Sequence, residues 1–478
     1  MKTHRKKIHG GAYGRTPRRS GLIILIFLLG FMSGPWPVLA QSPEQETVRP
    51  MTLDDVKRLS LERNLGLKSA QADVLSARAL TQSQFTDFFP KLSAEARYSR
   101  AGDLQRIQIP AGNFSSSPPF PRTNVDVTTG ALTNYNLRLS LEQPLFTGGA
   151  IYYTYQTAKL GSASADLGFQ QTVQDLLLRV ELAYWDILKT ERLQEVAEQQ
   201  VSELKEHLRV VKASYDAGSV PYNEVLKTTV NLAEAQQRLL TARNNAGLAK
   251  MAMNNLLHRD LAEPIPMAPS KGDDSGDLPG YEEALKTARE HRLELAAGRT
   301  QVETMHVRQH LAESDYYPKL NAVLNYTRAK ETTAVIPENW EVLGVLRWTF
   351  WEWGKTGRDV ERTRIRLHQS EDDLQALEDR IALEVREQHL RAQEMKEKIA
   401  VAQTAVQQAE ENYRITEERF KAGVTTNAEV LDAESLLVSA RANQTNAVYD
   451  FQSARARLAR AMGLLTMPTN SPGGEVRP

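Results

Sequence analysis

Two periods of apolar residues alternate along this chain, and each points to a different element. Leu92, Ala94, Ala96 and Tyr98 alternate with Ser93, Glu95, Arg97 and Ser99, and Tyr135, Leu137, Leu139 and Leu141 alternate with Asn136, Arg138, Ser140 and Glu142. A period of two marks a strand with one apolar and one polar face. The pattern returns at Leu320, Ala322, Leu324 and Tyr326, and less cleanly at Val342, Gly344, Leu346, Trp348 and Phe350. Four strands are therefore expected, at about 90–100, 134–146, 318–328 and 341–351. Nearly everything else repeats at helical spacing, over roughly 52–88, 150–214, 221–257, 281–315, 355–420 and 426–463. Leu178, Leu182, Trp185 and Leu188 form one such stripe, with coiled-coil-like Glu, Gln, Arg and Ala on the other faces. Tyr184 and Trp185 are expected to pack between helices. The stretch from Ile151 to Tyr215 has no proline and two glycines, and at about 1.5 Å per residue it would span about 95 Å, too long for a compact domain.

The elements come in two copies. Phe88-Phe89-Pro90-Lys91-Leu92 returns as Tyr316-Tyr317-Pro318-Lys319-Leu320, 228 residues on. Leu145-Phe146-Thr147-Gly148-Gly149 aligns loosely with Phe350-Trp351-Glu352-Trp353-Gly354, and Ala217-Gly218 with Glu224-Val225-Leu226 matches Ala422-Gly423 with Glu429-Val430-Leu431, both 205 residues on. The single change of offset places 23 extra residues between the two strands of the first copy. They fall within 101–138, rich in Pro, Ser, Asn and Gly, as in a surface loop. The copies are expected at 41–257 and 281–463, with a Pro-, Gly- and Asp-rich linker at 258–280 and a flexible tail at 464–478. Each long helix ends in a glycine turn, so each copy closes with an antiparallel helical hairpin, at about 150–257 and 355–463. Pro221 suits the first turn of the helix that follows.

An alternating strand fits an ordinary half-wet sheet as well as a membrane barrel. Three features favour the barrel. The segments are about ten residues long, enough to cross a bilayer when tilted. Tyr98, Tyr135, Tyr326, Trp348 and Phe350 stand at or near their ends, where membrane-interface aromatics belong. The chain also opens like a secreted one. Open sheet edges cannot face lipid, and four strands cannot close a barrel, so several copies must share one.

The first 40 residues carry seven Lys or Arg and no acid, an apolar run from Leu22 to Met32, and the small-residue ending Val38-Leu39-Ala40. That is a secretory signal peptide, cut after Ala40. Its apolar run is about half of what a spanning helix needs. Removing it takes the formal charge from 0 to −7, which makes nucleic acid a poor partner. The absence of cysteine leaves no residue for a lipid anchor.

In its order of motifs the whole mature chain resembles the TolC-type outer-membrane efflux protein family, in its non-lipidated branch. The resemblance rests on the duplicated layout, the FFPKL and YYPKL strand openings, QPLFTGG after the second strand, RVELAYWDIL in the next helix, and the turns AGSVPYNEVL and AGVTTNAEVL. It implies a mostly helical subunit with membrane β-structure, three copies of which close a 12-stranded barrel continuing into a periplasmic α-barrel. It also implies a passive exit duct in the outer membrane of a Gram-negative cell, surrounded by lipid, docked by a periplasmic adaptor and fed by an inner-membrane pump, with no cofactor. By resemblance, Gly218, Val220, Pro221, Gly423 and Val424 are adaptor-docking tips, while Glu224, Glu429 and Asp432 stand near the constricted entrance. Facing carboxylates in a narrow pore attract cations and repel one another. The same acids also suit helix N-termini, each worth about 0.3–1 kcal/mol. The Tyr and Arg with which relatives lock the closed entrance are missing from the second turn.

A non-pore periplasmic coiled-coil protein would explain the hairpins and the signal peptide, but not four aromatic-ended strands in duplicate. An enzyme has little to rest on. His207, His258, His291, His306, His310, His368 and His389 are scattered and read as solvated helix residues; no HExxH motif, nucleophile elbow or phosphate loop is present.

Overall fold

The computed structural model describes residues 50–110, 124–129, 132–268, 277–330 and 338–465. The expected signal peptide and nearly all of the expected tail lie outside them. Each copy begins with two short helices, α1 (Leu53–Arg63) and α2 (Leu65–Thr86) in the first, α5 (Tyr281–His291) and α6 (Leu293–Glu313) in the second. Single helices are expected over 52–88 and 281–315, yet both break, at Asn64 and Arg292, which hold the same place in the two copies. Asn64 turns extended and its side chain caps α2 by accepting from the Leu67 N–H. Arg292 also turns extended and sends its buried guanidinium to the Ala461 carbonyl (3.1 Å) and to Glu384 (2.7 Å).

Four strands follow these helices: β1 (Lys91–Arg100) and β4 (Thr133–Phe146) in the first copy, β5 (Lys319–Lys330) and β6 (Glu338–Arg347) in the second. They form one antiparallel sheet in the order β1-β4-β5-β6, so among the described residues β1 and β6 are its open edges. The last strand lies three to four residues earlier than its expected span of 341–351. The insertion, expected as loop, holds a short ribbon of β2 (Gln105–Ile109) and β3 (Val125–Thr129). An Ala101 N–H to Leu132 carbonyl bond of 2.8 Å carries the β1–β4 ladder towards it.

Two 67-residue helices, α3 (Ala150–Asp216) and α7 (Lys355–Lys421), leave the sheet and turn back as α4 (Tyr222–Leu256) and α8 (Asn427–Ala461). Each long helix spans about 100 Å. α8 packs on both α3 and α7, joining the hairpins side by side. Two matching cores fix the short helices against the long ones. Val56, Leu67, Leu176, Val180 and Met253 fill one, and Ala284, Leu295, Ile381, Val385 and Leu458 fill the other. Each residue of the second set is the repeat partner of one in the first, 228 residues on before the sheet and 205 after it. Tyr184 and Trp185 are buried in the first core, as expected. Ile265 and Met267, in the segment between the copies, are buried there too, and Met51 pairs with Met267 as a parallel bridge.

Candidate functional site

The sheet register sorts the strand residues into two faces. Tyr98 pairs with Tyr135 and that with Lys330; Ala96 with Leu137, Arg328 and Glu338; Ala94 with Leu139, Tyr326 and Trp340; Leu92 with Leu141, Leu324 and Val342. This face is apolar through its middle, and its aromatic rings lie towards the end where β2 and β3 sit. The opposite face carries Ser93, Ser140, Asn325 and Glu341 in one row and Glu95, Arg138, Thr327 and Asn339 in another. A sheet with one apolar face, one polar face and two open edges is suited to a lipid-facing wall around a wet lumen.

Tyr98, Tyr135 and Tyr326 are thus on one face and at one end. Trp348 and Phe350 are not in a strand, because β6 stops at Arg347. They stand at the other end of the sheet, exposed, with the Trp348 indole N–H donating to the Tyr316 carbonyl at 3.1 Å. Trp340, opposite Tyr326, carries the aromatic group of this face across to β6. Its place was legible, since 340, 342, 344 and 346 continue one alternation, but a strand begun at 341 leaves it out.

At the far end of the helical hairpins the two turns have one geometry. The Gly218 N–H donates to the Tyr215 carbonyl (2.8 Å) and Ser219 to Ser214 (2.8 Å); Gly423 donates to Phe420 (2.9 Å) and Val424 to Arg419 (2.8 Å). Both glycines sit at positive φ, +75° and +73°, where a side chain would strain the backbone. Pro221 takes the N-cap position of α4, its carbonyl accepting from the Glu224 N–H at 3.1 Å, while the Thr426 side chain caps α8. Val220 is half-buried against Val211, Val225, Phe420 and Val430, which fasten one turn to the other, while Val424 is exposed.

The three acids have different surroundings. Glu224 accepts from Lys227 (2.9 Å) and from the Asn427 amide (3.0 Å), and these two donors hold its carboxyl below the usual range. Glu429 is exposed in the first turn of α8, accepts the Thr425 hydroxyl, and gives its own N–H to the Thr426 cap at 3.4 Å. Asp432 is exposed one turn further on. Glu224 and Glu429 therefore act as helix N-terminal acids, and Glu224 also ties one hairpin to the other.

That tie runs through a buried node. Asn427, 3% exposed, meets His207 Nε2 at 2.7 Å through its amide oxygen and donates to Thr228 Oγ1 at 3.1 Å. His207 is thus a buried helix-packing residue rather than a solvated one, and burial lowers its pKa.

Comparison with known proteins agrees with this layout. The sequence profile described as "Outer membrane efflux protein" matches residues 57–257 and 284–464, one segment for each copy. The chain belongs to the outer membrane efflux protein family. The efflux protein is similar to the alkaline protease secretion protein AprF of Pseudomonas aeruginosa, 25% identical over 343 residues that cover 70% of each chain. It is also similar to the outer membrane protein TolC of Vibrio cholerae, 22% identical over 376 residues, 77% of this chain and 84% of that one. Among solved structures, CusC superposes with a TM-score of 0.74 at 17% identity over 86% of this chain and 92% of that one. The open state of the Neisseria gonorrhoeae MtrE channel gives 0.72 at 17% identity over 88% and 91%. The protein is a channel subunit of the outer membrane, and its family consists of channels, not enzymes.

Proposed function

We propose that three copies of this efflux protein share one barrel of twelve strands, four from each, and that the helical hairpins continue it as a periplasmic duct closed at its tips. The open edges of β1 and β6 carry this reading most directly, because each copy then supplies the partner that its neighbour's edge lacks. The duct passes substrates delivered by an inner-membrane pump and performs no chemistry on them. A periplasmic adaptor docks at the tips, against Gly218, Val220, Pro221, Gly423 and Val424, where two rigid glycine turns present an exposed Val424. Tyr98, Tyr135, Tyr326 and Trp340 mark the outer interface of the bilayer, with Trp348 and Phe350 at the inner one. Two of the relatives, AprF and PrtF of Dickeya chrysanthemi, are named for protease secretion; a secreted protein is accordingly one cargo class this duct would carry.

Glu429 and Asp432, exposed at the start of α8, supply the entrance with negative charge, while Glu224 acts mainly by joining the hairpins. Single-channel recording in planar bilayers tests this reading. Replacing Glu429 and Asp432 with Ala is expected to lower cation selectivity and block by divalent cations, whereas Glu224→Ala raises the resting conductance. Unchanged selectivity, block and conductance in all three variants would remove these residues from the entrance.

A further inference from the structure

The apolar sheet face, which the proposed barrel turns to lipid, carries charge at one end only. In the described strands its residues are Leu92, Ala94, Ala96, Tyr98 and Arg100 on β1; Thr133, Tyr135, Leu137, Leu139, Leu141 and Gln143 on β4; and on β5 and β6 the even positions from Leu320 to Lys330 and from Glu338 to Leu346. The charged members are Arg100, Arg328, Lys330 and Glu338, all in the three outermost rows. The inner end of the same face has none. A girdle serving both interfaces alike would need no such bias.

Two of these cations, Arg328 and Lys330, also line a depression of about 320 Å³, together with Ala96, Tyr98, Tyr135, Asn136 and Leu137. The Tyr98 and Tyr135 rings lie 5.1 Å apart as one wall. Arg328 and Lys330 form the other, with Arg328 held by Glu338 at 3.3 Å. Lys330 is exposed. Arg97 also touches the depression, but belongs to the polar face and pairs with Glu95 at 2.6 Å. Cations beside the tyrosines, with the apolar rows of Ala94, Leu139, Leu92 and Leu141 further in, match a molecule with acyl chains beneath an anionic head.

We propose that Arg328 and Lys330, with Arg100 one row further out, bind the phosphate of a phosphorylated glycolipid in the outer leaflet, whose sugar stacks on Tyr98 and Tyr135. Charge complementarity selects the phosphate, and the apolar rows beneath select a lipid over a soluble anion. Exposed cations beside a membrane surface gain about fivefold in affinity each for anionic lipid. Glu338 opposes that gain by occupying Arg328. The inference rests on the barrel reading, since it needs this face to meet lipid.

The test uses the full-length protein in lipid nanodiscs, with lipid A and its dephosphorylated form as probes, and native mass spectrometry to count retained lipid. Wild-type protein is expected to retain lipid A in preference to the dephosphorylated form. Arg328→Gln with Lys330→Gln should weaken retention roughly fivefold for each charge removed, while Glu338→Gln should strengthen it, a gain that a folding defect cannot produce. Arg328→Lys with Lys330→Arg should retain lipid A as the wild type does. Equal retention of the two probes, indifference to both Gln variants, or displacement of lipid A by millimolar inorganic phosphate would overturn the site. A wild type that forms trimers yet shows no preference sinks this site alone, whereas one that never enters the bilayer sinks the barrel reading with it.

Discussion

Replacing Asn427 with Leu is expected to loosen both hairpin tips and raise the resting conductance of the channel. Asn427 is buried on α8, yet its amide serves His207 on α3 and both Thr228 and Glu224 on α4. Leu has the same branching and the same number of side-chain heavy atoms, so the shape is largely kept, while three buried or half-buried polar groups lose a partner. An orphaned buried polar group costs about 1–3 kcal/mol, so the loss is on the order of 3 kcal/mol in each copy. That converts to roughly a hundredfold faster local opening. Hydrogen exchange of the first turns of α4 and α8 should accelerate by about that factor, with the rest of α3 and α7 unaffected. Wild-type exchange rates at those turns, together with wild-type conductance, would show that the node is not what joins the hairpins.

The second large effect is a pH dependence that Glu434→Gln should reduce. Glu434 lies on α8, 5% exposed, and one of its carboxylate oxygens has no hydrogen-bond partner. Burial is the main cause that raises its pKa to about 7, and the Glu203 charge on α3 adds to it; the Gln200 amide, Arg238 on α4 and Arg441 on α8 act the other way. Arg441 is largely committed elsewhere, to Glu203 (3.0 Å) and to Glu410 of α7 (3.1 Å), beside the half-buried Tyr413. The folded pKa lies above the unfolded one, so between about 4.5 and about 7 the native state holds a proton that the unfolded chain has lost. The resulting stabilisation is complete below about 4.5, declines as pH rises towards about 7, and is gone above it. It amounts to on the order of 3 kcal/mol in each copy. Urea unfolding of the helical hairpins should therefore have a higher midpoint at pH 5 than at pH 8 in the wild type, with the difference reduced in Glu434→Gln. Parallel pH profiles for the two proteins would assign the dependence to other groups.

How far these features could be read in advance follows from how each is encoded. Strands and helices announce themselves in periods of two and 3.6, and duplication fixes their order, so the sheet and both hairpins were legible. The repeat offset even matches the two cores, Leu176 with Ile381 and Met253 with Leu458. The helix breaks at Asn64 and Arg292 were not legible, since neither residue is a proline or a glycine and both breaks are held by capping or tertiary bonds. The β2–β3 ribbon was hidden by composition, with short alternations at Ile107, Ile109, Val125 and Val127 flanked by Pro, Ser and Gly.

The tip node escaped for a different reason. Its partners are 199 to 220 residues apart in sequence, and no local spacing brings them together. Nor does the duplication help. The repeat partner of Asn427 is Tyr222, which is exposed, so the two hairpins use the same position for opposite purposes. The acids were found by motif; Glu224 and Glu429 stand in the first turns of their helices, and Asp432 one turn further along α8. That Glu224 reaches across to Asn427 is knowledge only the packed helices hold.

The central claim, one barrel closed by three copies through β1 and β6, has a direct measurement. The chain has no cysteine, so Ala94→Cys on β1 combined with Val342→Cys or Gly344→Cys on β6 introduces the only thiols. Within one copy these edges are three strand spacings apart, about 14 Å, beyond the reach of a disulfide. Outer-membrane fractions oxidised and run under denaturing conditions should give a covalent product of three chains, closed into a ring, that reduction returns to monomer. Monomers only, recovered from the soluble periplasmic fraction, would contradict the shared barrel.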